Sequence, residues 1–170
     1  DTTMTHAWTD SYPYNSISIY AFHPMYADIK QMGTLKDKSA AAKFNKKQKE
    51  LNGLPAMDYE AVNQTKWEYF RLIFKQEGAS GEFGEFFNAN KEWLQPYAVF
   101  SYLRDAFQTP NFREWPRHSV YNAQDIEKMC RPESVDYPHI ALYYYIQFHL
   151  HLQLVAATKY AREHGVVLKG

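Results

Sequence analysis

Seven histidines, one cysteine and 19 acidic side chains are the groups of this 170-residue chain that could do chemistry. Their spacing decides what kind. The most conspicuous pair is His149-Leu150-His151. Two positions apart on a helix is about 200° around the axis, so the two imidazoles cannot share one metal. A zincin-like pair needs i, i+4 spacing with a glutamate between. The pattern instead reads as two partly buried imidazoles bonded to neighbours, with His149 in reach of Gln153 and Gln147 in reach of His151. Cys130 precedes Arg131 at a helix end without an evident base, so it reads as an inert thiol. A lone cysteine also excludes an internal disulfide and a Cys-based zinc site, and a reducing, cytoplasmic setting is the natural expectation. There is no G-x-S-x-G elbow, P-loop or G-x-G-x-x-G turn; Gly81-Glu82-Phe83-Gly84 lacks the flanking strand and helix. Glycosidic chemistry needs two carboxylates flanking one bond, and no acid here is marked out for that work. The residues themselves therefore point to no catalytic group, metal or cofactor.

Binding is a better prospect than catalysis. Phe, Trp and Tyr make up 17% of the chain. Rings at helical spacing belong to a core, whereas rings in a loop can stack on the flat apolar faces of sugars. Tyr12-Pro13-Tyr14 is the loop candidate. Its Pro limits the chain, so Tyr14 can offer a stacking face and a hydroxyl at low entropic cost. Charge excludes other partners: 19 basic residues balance 19 acidic ones, unlike a nucleic-acid or anionic-membrane binder. No apolar run approaches the roughly 20 residues that span a bilayer.

The elements that would position these groups are mostly helices. Residues 1–15 read as loop. Ser16 to Tyr20 alternates and suggests a short strand. Pro24 opens a short helix to Met32, closed by Gly33. The Lys-rich stretch 36–52 is a solvated helix with Phe44 and Leu51 as its apolar contacts, stopped by Gly53. Asp58 caps a helix to residue 77, with Trp67, Phe70 and Phe74 on one stripe. After a turn at 79–81 come a short aromatic helix (Phe83, Phe86, Phe87) and a second helix capped by Asn90. That second helix carries Trp93, Tyr97, Phe100, Leu103 and Phe107 on one face, with Pro96 in its first turn or at a kink. Residues 108–122 are loop, and 123–130 a short helix. The last helix, 137–164, bears a stripe of Tyr143, Ile146, Leu150, Leu154, Ala157 and Ala161, widened in its first half until most sides are apolar. Gly165 then leads into Val166-Val167-Leu168-Lys169, which reads as the start of a parallel strand. A parallel strand needs covered faces and neighbours. With no initiator Met and a chain that stops as this strand begins, the sequence reads as a piece of a larger α/β enzyme.

Several ordered motifs carry a family resemblance. Asp10-Ser11-Tyr12-Pro13-Tyr14-Asn15-Ser16-Ile17-Ser18 resembles the D-S-P-Y-Q-S-x-S loop of the amylomaltase/disproportionating-enzyme family of 4-α-glucanotransferases. The extra Tyr and the Asn for Gln resemble its plant cytosolic branch and bacterial relatives. Ala21-Phe22-His23-Pro24 resembles the family's A-[FL]-x-[NH]-P continuation. Residues 145–154 resemble the helix before the second part of the barrel, with Phe148 and Leu154 where many members have Trp. Gly165 to Gly170 resembles the strand G-[IV]-x-[IL]-x-G. Residues 90–105 and Arg113-Glu114-Trp115-Pro116 resemble the family's aromatic helix and W-P loop.

The resemblance implies a mainly α segment of a (β/α)8 TIM-barrel enzyme, with at most one or two short strands. Residues 1–35 would be an early barrel loop and short helix, 36–136 an inserted helical subdomain, and 137–170 a long helix leading into a barrel strand. The implied activity is retaining transfer of α-1,4-glucan segments between maltooligosaccharides by double displacement. The family's carboxylates would lie beyond residue 170, leaving this piece inactive by itself. Tyr14 would contact sugar near the cleavage point, with Pro13 and Ser16 as loop partners. The implied ligand is an α-glucan, with no cofactor, metal, nucleic acid or membrane. Two other readings remain: an autonomous helical interaction module, which predicts complete elements at both ends, and a non-catalytic carbohydrate-binding domain, which predicts exposed coplanar rings.

Overall fold

A computed structural model describes residues 16–78 and 81–168. Among these, five α-helices run in order: α1 (Lys38–Asn52), α2 (Tyr59–Glu77), α3 (Gly81–Phe107), α4 (Ala123–Met129) and α5 (Tyr137–Glu163). Short side chains start them. Asp37, Asp58 and Asn122 accept the first free amides of α1, α2 and α4. Stops are equally local. At the end of α5, Val166 N donates to Ala161 O at 2.8 Å and Gly165 N to Arg162 O at 3.1 Å, with Gly165 at φ 74°. That bonding closes the helix as a Schellman motif, which needs a left-handed residue.

α5 is the axis of the core. Residues 140–148 are buried without a break, which fits a helix apolar all round and packed on every side. It packs most extensively on α3, and also on α2 and the early segment. Rings interlock across the seams. Trp67 of α2 meets Tyr143 at 5.3 Å, and Phe87 of α3 meets Tyr144 at 5.1 Å. The helix emerges from the core after Leu150: Leu154 and Ala157, expected on the buried stripe, are exposed, and Ala161 is half-buried.

The early segment 21–36 has little regular structure and is held by side chains. Two 3-10 turns, Pro24–Tyr26 and Ile29–Met32, replace the single expected helix. Its peptide groups find partners on α2. Lys66 Nζ donates to Met25 O and, at 2.8 Å, to Ala27 O. Tyr69 donates to Gly33 O at 2.6 Å. The Gln76 amide accepts from Lys36 N at 2.7 Å and donates to Thr34 O at 3.0 Å. Chain without a ladder must satisfy its polar groups somehow, and here the neighbouring helix does it.

Three other expectations change. No strand forms among the described residues. Ser16 takes part in a lone bridge, Ile19 and Tyr20 are exposed, and Val166 to Leu168 lie exposed and unpaired. A strand exists only by pairing, so a β-like pattern without a neighbour stays irregular. The short aromatic helix and the one after it are a single helix, α3. Asn90 sits inside it, its Nδ2 donating to Phe86 O at 2.8 Å instead of capping. Pro96 is therefore interior, where it leaves one carbonyl without its usual amide.

Candidate functional site

A cleft of about 440 Å³ opens between α3, the 108–122 loop and α4, with Ile17 and Ser18 at its edge. Trp93, Tyr97 and Phe100 reach it from one face of α3, as their 4- and 3-residue spacing dictates. Across from them stands Trp115, buried, with Phe100 and Phe107 packed on it at 5.4 and 5.8 Å. Its indole Nε1 donates to Thr109 O at 2.8 Å, which pins the loop. Trp93 is held by a 2.9 Å bond from Nε1 to Asn90 Oδ1, and Tyr20 stacks on it at 5.9 Å and 29°. At the rim Tyr121 is 71% exposed.

Polar groups among its lining residues are Ser18, His118, Asn122 and Asp125, with the hydroxyls of Tyr97 and Tyr121. Asn122 is spent on capping α4, and Asp125 lies 3.7 Å from Lys128. Such a surface can hold a ligand by ring contact, and among the described residues lining it Asp125 is the one acidic side chain. Behind it lies a buried polar cluster. Arg104, 1% exposed, donates from Nε to Asp105 Oδ1 at 2.8 Å. The Tyr143 hydroxyl donates to Asp105 Oδ2. Burial, and then the Asp105 carboxylate, push the Tyr143 phenol well above its ordinary range.

Of the predicted site residues, Ser16 is exposed, one position before the cleft-lining Ile17. Pro13 and Tyr14 lie outside the described residues.

The expected histidine bonds do not form. The His149 ring packs on Tyr145 at 4.3 Å and Phe148 at 5.4 Å, and burial lowers its pKa. The His151 ring packs on Phe86 at 5.1 Å. The two glutamines assigned to them turn the other way, toward the early segment: Gln147 to Phe22 and Gln153 to Asp28. Sequence reasoning missed this role. The available signal was two amides spaced along a helix otherwise apolar in its first half, since a buried amide must find both donor and acceptor partners. Cys130 is buried, with the Tyr144 hydroxyl donating to Sγ at 3.0 Å, and burial raises its thiol pKa. Among the described residues no three His, Cys, Asp or Glu side chains gather as metal ligands. No helix among them is long and apolar enough to cross a membrane.

A family model described as 4-alpha-glucanotransferase matches residues 2–170. The chain is 37% identical over 179 aligned positions to the 4-alpha-glucanotransferase DPE2 of Oryza sativa subsp. japonica, covering 100% of this chain and 18% of that protein. It is 28% identical to the 4-alpha-glucanotransferase of Chlamydia pneumoniae, covering 95% of this chain and 31% of that one. The Chlamydia caviae protein of the same name is 27% identical, again over 31% of its length. The chain thus spans less than a third of the length of these relatives. No solved structure matches it at a significant level.

Proposed function

This chain belongs to the 4-alpha-glucanotransferase family, and from that membership we propose that it forms one wall of the glucan site of such an enzyme. The observation that carries the reading is the match across residues 2–170 together with 37% identity along the whole chain to a protein of that name. The proposed reaction is a retaining double displacement: a carboxylate forms a glycosyl-enzyme, and a second carboxyl group serves as acid and then base toward an acceptor hydroxyl. The acceptor must outcompete water, so the site has to be dry. Both carboxyl groups are placed outside these 170 residues. In support, five of the Asp side chains have structural work: Asp28, Asp37 and Asp58 cap helical turns, Asp105 holds Arg104, and Asp136 accepts the Tyr102 hydroxyl. By itself the chain is then inactive.

Within that enzyme, residues 1–35 are read as an early loop of a (β/α)8 barrel, 36–136 as an inserted helical subdomain and 137–170 as the helix leading to a later strand. Tyr14 stacks on the sugar near the bond that breaks, with Pro13 and Ser16 shaping its loop. The aromatic cleft supports this, because Ile17 and Ser18, which follow that loop in the sequence, are among its lining residues.

The test measures glucose release and chain-length redistribution from maltose and maltotriose. Three samples are compared: the full-length protein, its Tyr14→Ala variant, and the 170-residue chain. The expected outcome is an active full-length protein, a loss of well over about tenfold with Tyr14→Ala, as for removal of one stacking anchor at a site, and no turnover by the chain alone. Turnover by the chain would show that the carboxyl groups are inside it. An inactive full-length protein would favour the interaction-module reading.

A further inference from the structure

Two glutamines of α5 grip the early segment in the same manner. Gln147 Oε1 accepts the Phe22 amide at 3.0 Å, and its Nε2 donates to the Phe22 carbonyl at 2.7 Å. Gln153 Oε1 accepts the Asp28 amide at 2.8 Å, and its Nε2 donates to the Asp28 carbonyl at 3.0 Å. Both pairs are 125 positions apart in sequence, so the spacing of the amides along the helix matches the spacing of the peptides they hold. A primary amide presents one acceptor edge and one donor edge, as a peptide of a neighbouring strand would. The early segment is thus paired to a helix by two side chains instead of to a strand by its backbone.

The two grips differ in setting. Gln147 is 2% exposed and also donates to the Tyr97 hydroxyl at 3.2 Å. Tyr97 stands on the cleft wall. One side chain therefore joins α5, the segment that follows Ser16, and the aromatic cleft. The Gln153 pair is exposed, so its loss costs little packing.

We infer that Gln147 and Gln153 are positioning residues that set the Ser16–Asp28 segment against the aromatic cleft. This rests on the glucan-site reading above. Neither residue touches the sugar; each acts through the peptide it holds. A carboxylate in place of either amide would point an acceptor at a carbonyl and lose the donor.

The test uses the full-length protein with Gln147→Glu, Gln153→Glu and Gln153→Ala. Hydrogen exchange of peptides covering 16–28 is read beside the kinetics on maltotriose. The expected result is exchange faster in 16–28 but unchanged in α3, and KM raised about tenfold with kcat altered much less. That factor corresponds to about 1.4 kcal/mol of lost hydrogen bonding. Lowering the pH restores KM in Gln147→Glu, because a protonated carboxyl again has one donor and one acceptor. Unchanged exchange in 16–28 would overturn the grip itself. Faster exchange with unchanged KM would reduce both residues to structural ties and overturn the positioning role. An unmodified protein without transferase activity would overturn the glucan-site reading, and the positioning role with it, while the exchange data still report on the grip.

Discussion

His23 shows how one side chain can tie a loop to the acidity of the medium. Its Nδ1 accepts the Met25 amide at 3.0 Å, which starts the Pro24–Tyr26 turn and requires an unprotonated nitrogen. Burial, then the Arg104 guanidinium and other nearby positive charge including Lys66, hold its pKa down at about 4. An unfolded histidine titrates near 6.5. Between those values the unfolded chain binds a proton that the folded chain refuses, so stability falls as pH drops through this window and levels off below about 4. The full effect is on the order of 3 kcal/mol at about 1.4 kcal/mol per pKa unit. His149, also lowered by burial, adds a contribution of the same sign. Urea unfolding between pH 7 and pH 4 should show this slope, and His23→Asn, which keeps an acceptor for the turn but does not titrate, should flatten it. An unaltered slope in that variant would remove His23 as its source.

At the scale of elements, helix starts were legible and loop conformations were not. Asp58 was readable as a cap because a short side chain next to an apolar period has one obvious use. The continuity of α3 was hidden by Asn90, a cap type that here bonds back to the preceding turn. Gly33 is the clearest case of a backbone position whose demand comes from elsewhere. It adopts φ 123°, and a Cβ there would stand 3.1 Å from Ile73 Cδ1 of α2. Its carbonyl is meanwhile fixed by Tyr69. Gly33→Ala should therefore destabilise the protein by about 1–3 kcal/mol, the cost of holding a non-glycine residue in a sparsely populated region. A thermal midpoint within error of the unmodified protein would show that the segment relaxes freely.

At the scale of the molecule, the distal half of α5 stands out. Leu152, Leu154, Val155 and Tyr160 are exposed, and Val167 beyond them is 85% exposed. Scattered apolar side chains are ordinary on a surface, but a run of them along one helix and its tail invites association. The 170-residue chain should therefore self-associate as concentration rises, and Leu154→Glu with Val155→Lys should weaken that. Light scattering that reports a monomer at high concentration would count against it.

What the sequence determined by itself was the family, the helical character and the buried half of the last helix. Each is written in local order: motif strings such as Tyr12-Pro13-Tyr14, caps, and a 3.6-residue apolar period whose consequences do not wait for distant partners. What only the tertiary structure decided was everything that depends on a partner far along the chain. The β-like runs at Ser16–Tyr20 and Val166–Leu168 formed no strand because a strand is a relation between segments, not a property of one. Trp115 closed a cleft on α3 because Thr109 holds its indole. Gln147 and Gln153 turned from their helical neighbours to peptides 125 positions away, because an amide satisfied at both edges of an otherwise irregular segment outweighs one bonded to a ring beside it.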